Sequence, residues 1–227
     1  TPVGCADTTN GYILDDAGGH PNYIPFVLTE AEHEITISLL KNHGLGEGGT
    51  FTMKNQGVGT PQVDINDGSW CGSFSRNSAE QSLHDNHICA AINANEHIHG
   101  KTRLAIIDGI YGQLYPHSMA EPEETWSSFG DQPPALILAS TDPVAVDSVA
   151  NYLLEVEDRA TYGGTGSVYA TADSEGTTWI QCVKYAEEEQ GIGVYESWDE
   201  IEANGGFVDI DYLIYGEAEC EDGQTRD

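Results

Sequence analysis

Nine polar side chains in this sequence have the types and spacing for chemistry: Lys41, His43, Lys54, Asn55, His84, His87, Asp108, Asp142 and Asp147. Lysine can hold an anion or a carbonyl oxygen, and histidine or lysine can exchange a proton. Imidazole and carboxylate together supply the N and O ligands suited to zinc, manganese or iron. His84, Asp108, Asp142 and Asp147 would form a divalent metal site able to activate water or polarise a substrate oxygen. Lys41, Lys54, His84 and Asp108 are the candidates for catalysis, with the two lysines holding an anionic or carbonyl group. Each also has a plainer reading. Asp142 suits a helix cap, Asp108 a turn cap, and the lysines ordinary ion pairs. His84 and His87 lie three apart on one helix face, where they either chelate or divide between core edge and solvent.

The stretch that must position these groups is Pro134 to Leu154. Ala135 to Ala139 is a continuous apolar run, which suits a strand buried on both faces. Ser140-Thr141-Asp142-Pro143 starts a helix, because Asp142 can cap free N–H groups and Pro143 fits the first helical position. Val146, Val149, Ala150, Leu153 and Leu154 follow as an apolar stripe. A buried strand running into a helix is the unit of an α/β domain, and it places Asp142 and Asp147 near a strand's carboxyl end.

Other elements follow from local pattern. Glu34 to Leu40 alternates as a strand, and Arg103 to Ile107 is another, ended by Asp108-Gly109. Thr29-Glu-Ala-Glu32 and Ser197-Trp-Asp-Glu200 read as capping boxes that open short helices. Ser78 opens a helix running to about Ala94. Thr178 opens another with Trp179, Cys182, Val183 and Ala186 on one face, stopped at Gly191. Gly44 to Gly57 is a Gly-dense loop without Walker or Rossmann spacing. Asp64 to Gly68 reads as a turn. His97 and His99 belong to an exposed turn or strand start. Tyr111 to Pro134 is a long acidic loop, and Val208, Ile210, Tyr212 and Ile214 alternate as a final strand.

The totals limit the functional classes. The 227 residues carry 38 acidic against 8 basic side chains, a formal net charge of −30. Such a chain repels nucleic acid and anionic lipid. Apolar residues are 39% of the total, enough for a real core rather than a disordered acidic tail. No apolar run has the length of a membrane span, so membrane insertion is not expected. Cys5, Cys71, Cys89, Cys182 and Cys220 lie far apart, with no C-x-x-C, so no iron–sulfur cluster is expected. Wide spacing in an acidic chain favours one or two disulfides and an extracellular or periplasmic location, against an alternative of buried free thiols. Five of the eight basic residues, Lys41, Lys54, Arg76, Lys101 and Arg103, fall between positions 41 and 103, where they would focus a local positive field.

In order along the chain stand Lys41-Asn-His-Gly, Thr52-Met-Lys-Asn-Gln-Gly57, Leu83-His84, Ile106-Ile-Asp-Gly-Ile110 and Ala139-Ser-Thr-Asp-Pro-Val-Ala-Val-Asp-Ser-Val-Ala150. This ordered set resembles the family called domain of unknown function 362, over roughly residues 24 to 195. The resemblance implies an α/β fold and motif positions at Lys41, His43, Lys54, Asn55, His84, Asp108, Asp142 and Asp147. It carries no agreed activity. The chain departs from the family in lacking an upstream lysine-containing strand segment and iron–sulfur cysteines. It also has the acidic stretch 111–134 in place of a Gly-Pro-rich one.

The sequence thus leads to an α/β chain with a mixed, largely parallel sheet flanked by helices and long Gly/Pro-rich loops. Residues 1–227 are expected as a single domain with a loop-rich segment 1–25 and an acidic tail 217–227, as a processed part of a longer precursor. The functional expectation is a secreted, metal-dependent enzyme acting on a small polar or anionic substrate. The alternative is a non-catalytic extracellular module that binds cations or forms assemblies.

Overall fold

The computed structural model describes residues 14–15, 21–23, 26–42, 49, 51–59, 62–63, 89–90, 92–114, 125–162 and 179–214. Two compact units are distinguished, Thr1–Tyr195 and Glu196–Asp227. The first holds β1 (Leu14–Asp15), β2 (Pro21–Tyr23), α1 (Phe26–Glu30), β3 (Glu34–Lys41), α2 (Thr52–Gly59) and β4 (Gln62–Val63). It continues with β5 (Thr102–Gln113), a 3-10 turn (Ser127–Phe129), β6 (Leu136–Ser140), α3 (Pro143–Tyr162) and α4 (Trp179–Glu188). The second unit holds α5 (Trp198–Asn204).

The main sheet has the order β3-β5-β6, with β3 parallel to β5 and β6 antiparallel to it. This is the expected α/β class with a mixed sheet. A separate small antiparallel sheet joins β1, β2 and β4. Alternation decides the faces of the main sheet, because successive side chains on a strand point to opposite sides. Leu40, Ala105 and Ile107 face a core shared with Val146, Ala150 and Leu154 of α3, and with Phe51 and Trp126. Ile37 of β3 is level with Ile106, and Leu39 with Asp108 and Ile137. On this second face Ile35, Ile37 and Ile137 stay 59%, 64% and 63% exposed. The run Ala135–Ala139 was expected to be buried on both faces, yet Ile137 and Ala139 are exposed. An apolar run reports hydrophobicity on both sides of a strand, and only the neighbouring layers decide whether both are covered.

The helix starts and stops follow capping chemistry. Asp142 Oδ1 accepts from the N–H groups of Val144 and Ala145 at 2.8 and 3.2 Å, so α3 begins at Pro143 as the sequence predicts. In α5 the Ser197–Glu200 capping box is formed, and Gly205 closes the helix at φ 72°. Cys182, Val183 and Ala186 of α4 are buried. Past its end, Gly191 at φ 66° lets its own N–H and that of Ile192 bond back to Glu187 and Ala186.

Several local readings are corrected. Thr29–Glu32 does not open a helix: α1 ends at Glu30, and Lys101 Nζ donates to the carbonyls of Leu28 and Thr29 at 2.8 and 2.6 Å. An ammonium at carbonyls left open by a helix end is favourable, and local sequence does not reveal it. Asp108-Gly109 does not end a strand, since β5 continues to Gln113. Pairing on both sides outweighs the local turn preference, and a Cβ at Gly109 would lie 2.7 Å from Leu136 Cδ1. In the stretch 111–134, Trp126 is core, Gly112 lies against its ring, and Trp126 bridges to Gln132. Positions 52–57, read as loop, lie in α2. Residues 207–214 form no strand; instead Glu196 accepts from the N–H groups of Val208 and Ile210 at 2.7 and 3.0 Å. Alternation without a partner strand does not make a ladder. His97 and His99 lie in a turn, as expected. The turn expected at 64–68 and the helix residues 78–88 fall outside the described residues, as do the terminal segments 1–13 and 215–227.

Candidate functional site

The antiparallel placement of β6 decides which candidate groups meet. Ser140 at its end pairs with Ala105, whereas Lys41 pairs with Gln113. These levels are eight residues apart along β5, roughly 25 Å at about 3.3 Å per residue. Asp142 therefore lies at the end of the sheet where β3 and β5 begin, and Lys41 at the end where they finish. Asp108 is mid-strand, on the face opposite α3, level with Leu39 and Ile137. Its Oδ1 accepts the N–H of Ile110 at 3.0 Å. The sheet separates it from Asp142 and Asp147, both on the α3 side.

Asp142 and Asp147 are occupied by backbone. Besides capping α3, Asp142 accepts the Val194 N–H at 3.0 Å through Oδ2. Asp147 is fully buried one turn into α3 and caps a different helix. Its Oδ1 accepts the Thr52 N–H at 3.0 Å and the Thr52 hydroxyl at 2.6 Å, and its Oδ2 accepts the Met53 N–H at 2.8 Å. These are the first residues of α2, whose opening N–H groups have no partner within the helix. Burial pushes the Asp147 acid up to about 7. The bonds from Thr52 and Met53 work the other way, and nearby Asp142 adds to the rise. Further along, Glu157 accepts the N–H groups of Ser127 and Ser128 at 2.9 and 2.8 Å. Two carboxylates of α3 and the one that caps it thus organise three other backbone segments.

Lys54 is half-buried on α2, and the neighbouring exposed Asn55 donates to the Ile37 carbonyl at 3.2 Å along the edge of β3. His43, His84 and His87 lie outside the described residues. Among the described residues no three His, Cys, Asp or Glu side chains gather as a metal-ligand group.

What the fold does gather was not singled out in the sequence. At the carboxyl end of the parallel pair, Asn42, Gln113 and Asn151 are all buried amides. The Asn42 N–H donates to the Gln113 carbonyl at 2.9 Å, and Asn42 bridges to Gly49. Gly49 N–H in turn donates to Asn151 Oδ1 at 3.3 Å. A Cβ on Gly49 would lie 2.9 Å from that oxygen and inside the Phe51 ring, so only glycine lets the backbone come this close. Asn151 Nδ2 is buried and makes no hydrogen bond. Half-buried Lys41 precedes Asn42 at the end of β3. Ligands of α/β sheets usually bind outside the carboxyl ends of parallel strands. The pattern was legible only in part: Lys41 and the glycines stood out, but an asparagine nine residues into a helix looks like an ordinary polar position.

A family model described as Domain of unknown function (DUF362) matches residues 11–151, more than half of the chain and the whole span from Lys41 to Asn151. No curated protein and no solved structure matches the chain.

Proposed function

The chain belongs to the domain of unknown function 362 family, and on that premise we propose that it is a secreted acidic α/β protein, an enzyme acting on a small polar or anionic molecule at the carboxyl end of β3 and β5. The observation that carries this reading is the buried amide group of Asn42, Gln113 and Asn151, with Asn151 Nδ2 lacking a partner and Lys41 next to Asn42 in the chain. A buried donor without an acceptor costs about 1–3 kcal/mol, which an acceptor oxygen on a ligand would offset. In a chain of net charge −30, a lysine at that place is a local attraction for an anion. The metal-dependent part of the proposal rests on His84 together with Asp108 on one face, or with Asp142 and Asp147 on the other.

Thermal unfolding with added inorganic phosphate and with small carboxylates tests the binding. A concentration-dependent rise in midpoint is expected, lost in Lys41→Met and reduced in Asn151→Leu. No rise with any of these anions, or an equal rise in both variants, argues against the site. Metal content after exhaustive dialysis, compared with His84→Ala, tests the metal.

A second reading, a non-catalytic module that binds cations and assembles, is favoured by the exposed sheet face of Ile35, Ile37, Leu39, Ile110 and Ile137. Soluble proteins seldom leave such a face open without a partner. Like-charged copies would repel unless divalent cations neutralise surface carboxylates. Sedimentation with and without calcium, on the wild type and Ile37→Asp, distinguishes this reading from the first.

A further inference from the structure

Cys89 lies in a helical segment ending near Asn93, and Cys182 in α4. They are distant in sequence, but both are fully buried in one apolar cluster with Met53, Val144, Ala186 and Ile192. Both are free thiols, and Cys89 is near enough to act on the Cys182 thiol electrostatically. The Cys89 Sγ also reaches the Met53 carbonyl at 3.6 Å. Gly57 makes room for it: a Cβ there would lie 2.3 Å from Cys89 Sγ.

We propose that Cys89 and Cys182 form a disulfide as the chain folds in the presence of a small-molecule disulfide such as oxidised glutathione. Burial pushes the Cys182 thiol up, and the neighbouring Cys89 and Asp147 push it the same way. In the closed core, then, the Cys182 sulfur is not a ready nucleophile, and the buried Cys89 sulfur is out of reach of a soluble disulfide. The bond forms while the core is still open. One protein thiolate attacks the small disulfide, makes a mixed disulfide and releases one glutathione thiol. The second protein thiolate attacks the protein sulfur of that mixed disulfide and releases the other. Two electrons pass from the protein sulfurs to glutathione, and the two protein thiol protons end on the released thiols. The link closes a loop of about ninety residues that contains β5, β6 and α3, so it restricts the unfolded chain strongly. This pairing is independent of the proposed anion site, because it rests on the burial of the two free thiols in one cluster.

The test uses the whole chain, refolded from denaturant in a glutathione redox buffer, alkylated without reduction, digested and analysed by mass spectrometry. A peptide pair joined through Cys89 and Cys182 and released by reductant is expected. The oxidised protein should unfold about 10 °C above the reduced one. That difference should vanish in Cys182→Ala. Should that variant fail to fold, Cys5→Ala/Cys71→Ala/Cys220→Ala, which keeps only the pair, gives the same readout. Recovery of Cys89 and Cys182 as alkylated thiols from folded, oxidised protein overturns the proposal. So does joining of either one to Cys5, Cys71 or Cys220.

Discussion

Replacing Asp147 by asparagine isolates a fully buried carboxyl group that caps α2. Burial raises the Asp147 acid from 3.8 to about 7 against its hydrogen bonds from Thr52 and Met53. The native state therefore holds the proton more tightly than the unfolded chain. The stability contributed by that proton is fully present below pH 3.8 and is lost as pH rises through about 7. At about 1.4 kcal/mol per pH unit, the whole span corresponds to about 4 kcal/mol. Asparagine keeps one acceptor oxygen for Thr52 but turns an NH2 group toward the Met53 N–H, which costs about 1–3 kcal/mol at every pH. The variant should be the less stable protein at pH 4 and the more stable one at pH 8, with a crossing between. Urea unfolding followed by circular dichroism at fixed ionic strength, from pH 4 to 8, gives the difference directly. Carboxylates common to both proteins cancel in that comparison. A difference that stays constant across the range would refute the reasoning. It would mean that the three hydrogen bonds and the α2 terminus hold the carboxylate ionised despite its burial.

Three further outcomes follow from the same geometry. Asp142→Ala should cost about 1–2 kcal/mol as a lost helix cap, and hydrogen exchange should accelerate at Val144, Ala145 and Val194, whose N–H groups it holds. For Glu157, burial acts to raise the pKa, but hydrogen bonds from Ser128, Thr161 and Ser127 outweigh it and hold the acid below 4.5. Its contribution is present above pH 4.5 and lost as pH falls below it, so Glu157→Gln should cost about 1–2 kcal/mol at pH 7 and progressively less in acid unfolding curves. Gly112→Ala would place a methyl 2.2 Å from Trp126 Cζ2 and 2.9 Å from Pro134 Cγ. The overpacking should cost about 1–3 kcal/mol and change the near-ultraviolet circular dichroism of Trp126.

The sequence alone determined features whose causes are local. Asp142-Pro143 starts a helix, Ser197 and Glu200 form a box, and Gly191 and Gly205 end helices. Each depends on hydrogen bonds within a few residues. Alternation set β3, but the apolar stripe of α3 named only part of what is buried, since Asp147, Ser148, Asn151, Glu155, Glu157 and Asp158 are buried as well. The α/β class and the family motifs were legible for the same reason. The tertiary structure alone decided what the motif residues do. Nothing near Asp147 in the sequence says that it caps a helix almost a hundred residues upstream. Nothing near Asp108 says that its strand continues past the glycine. The polarity of β6 mattered most: an antiparallel third strand sends Asp142 to the far end of the sheet from Lys41. A list of polar residues cannot supply that separation, because strand direction is fixed by pairing between segments distant in the chain.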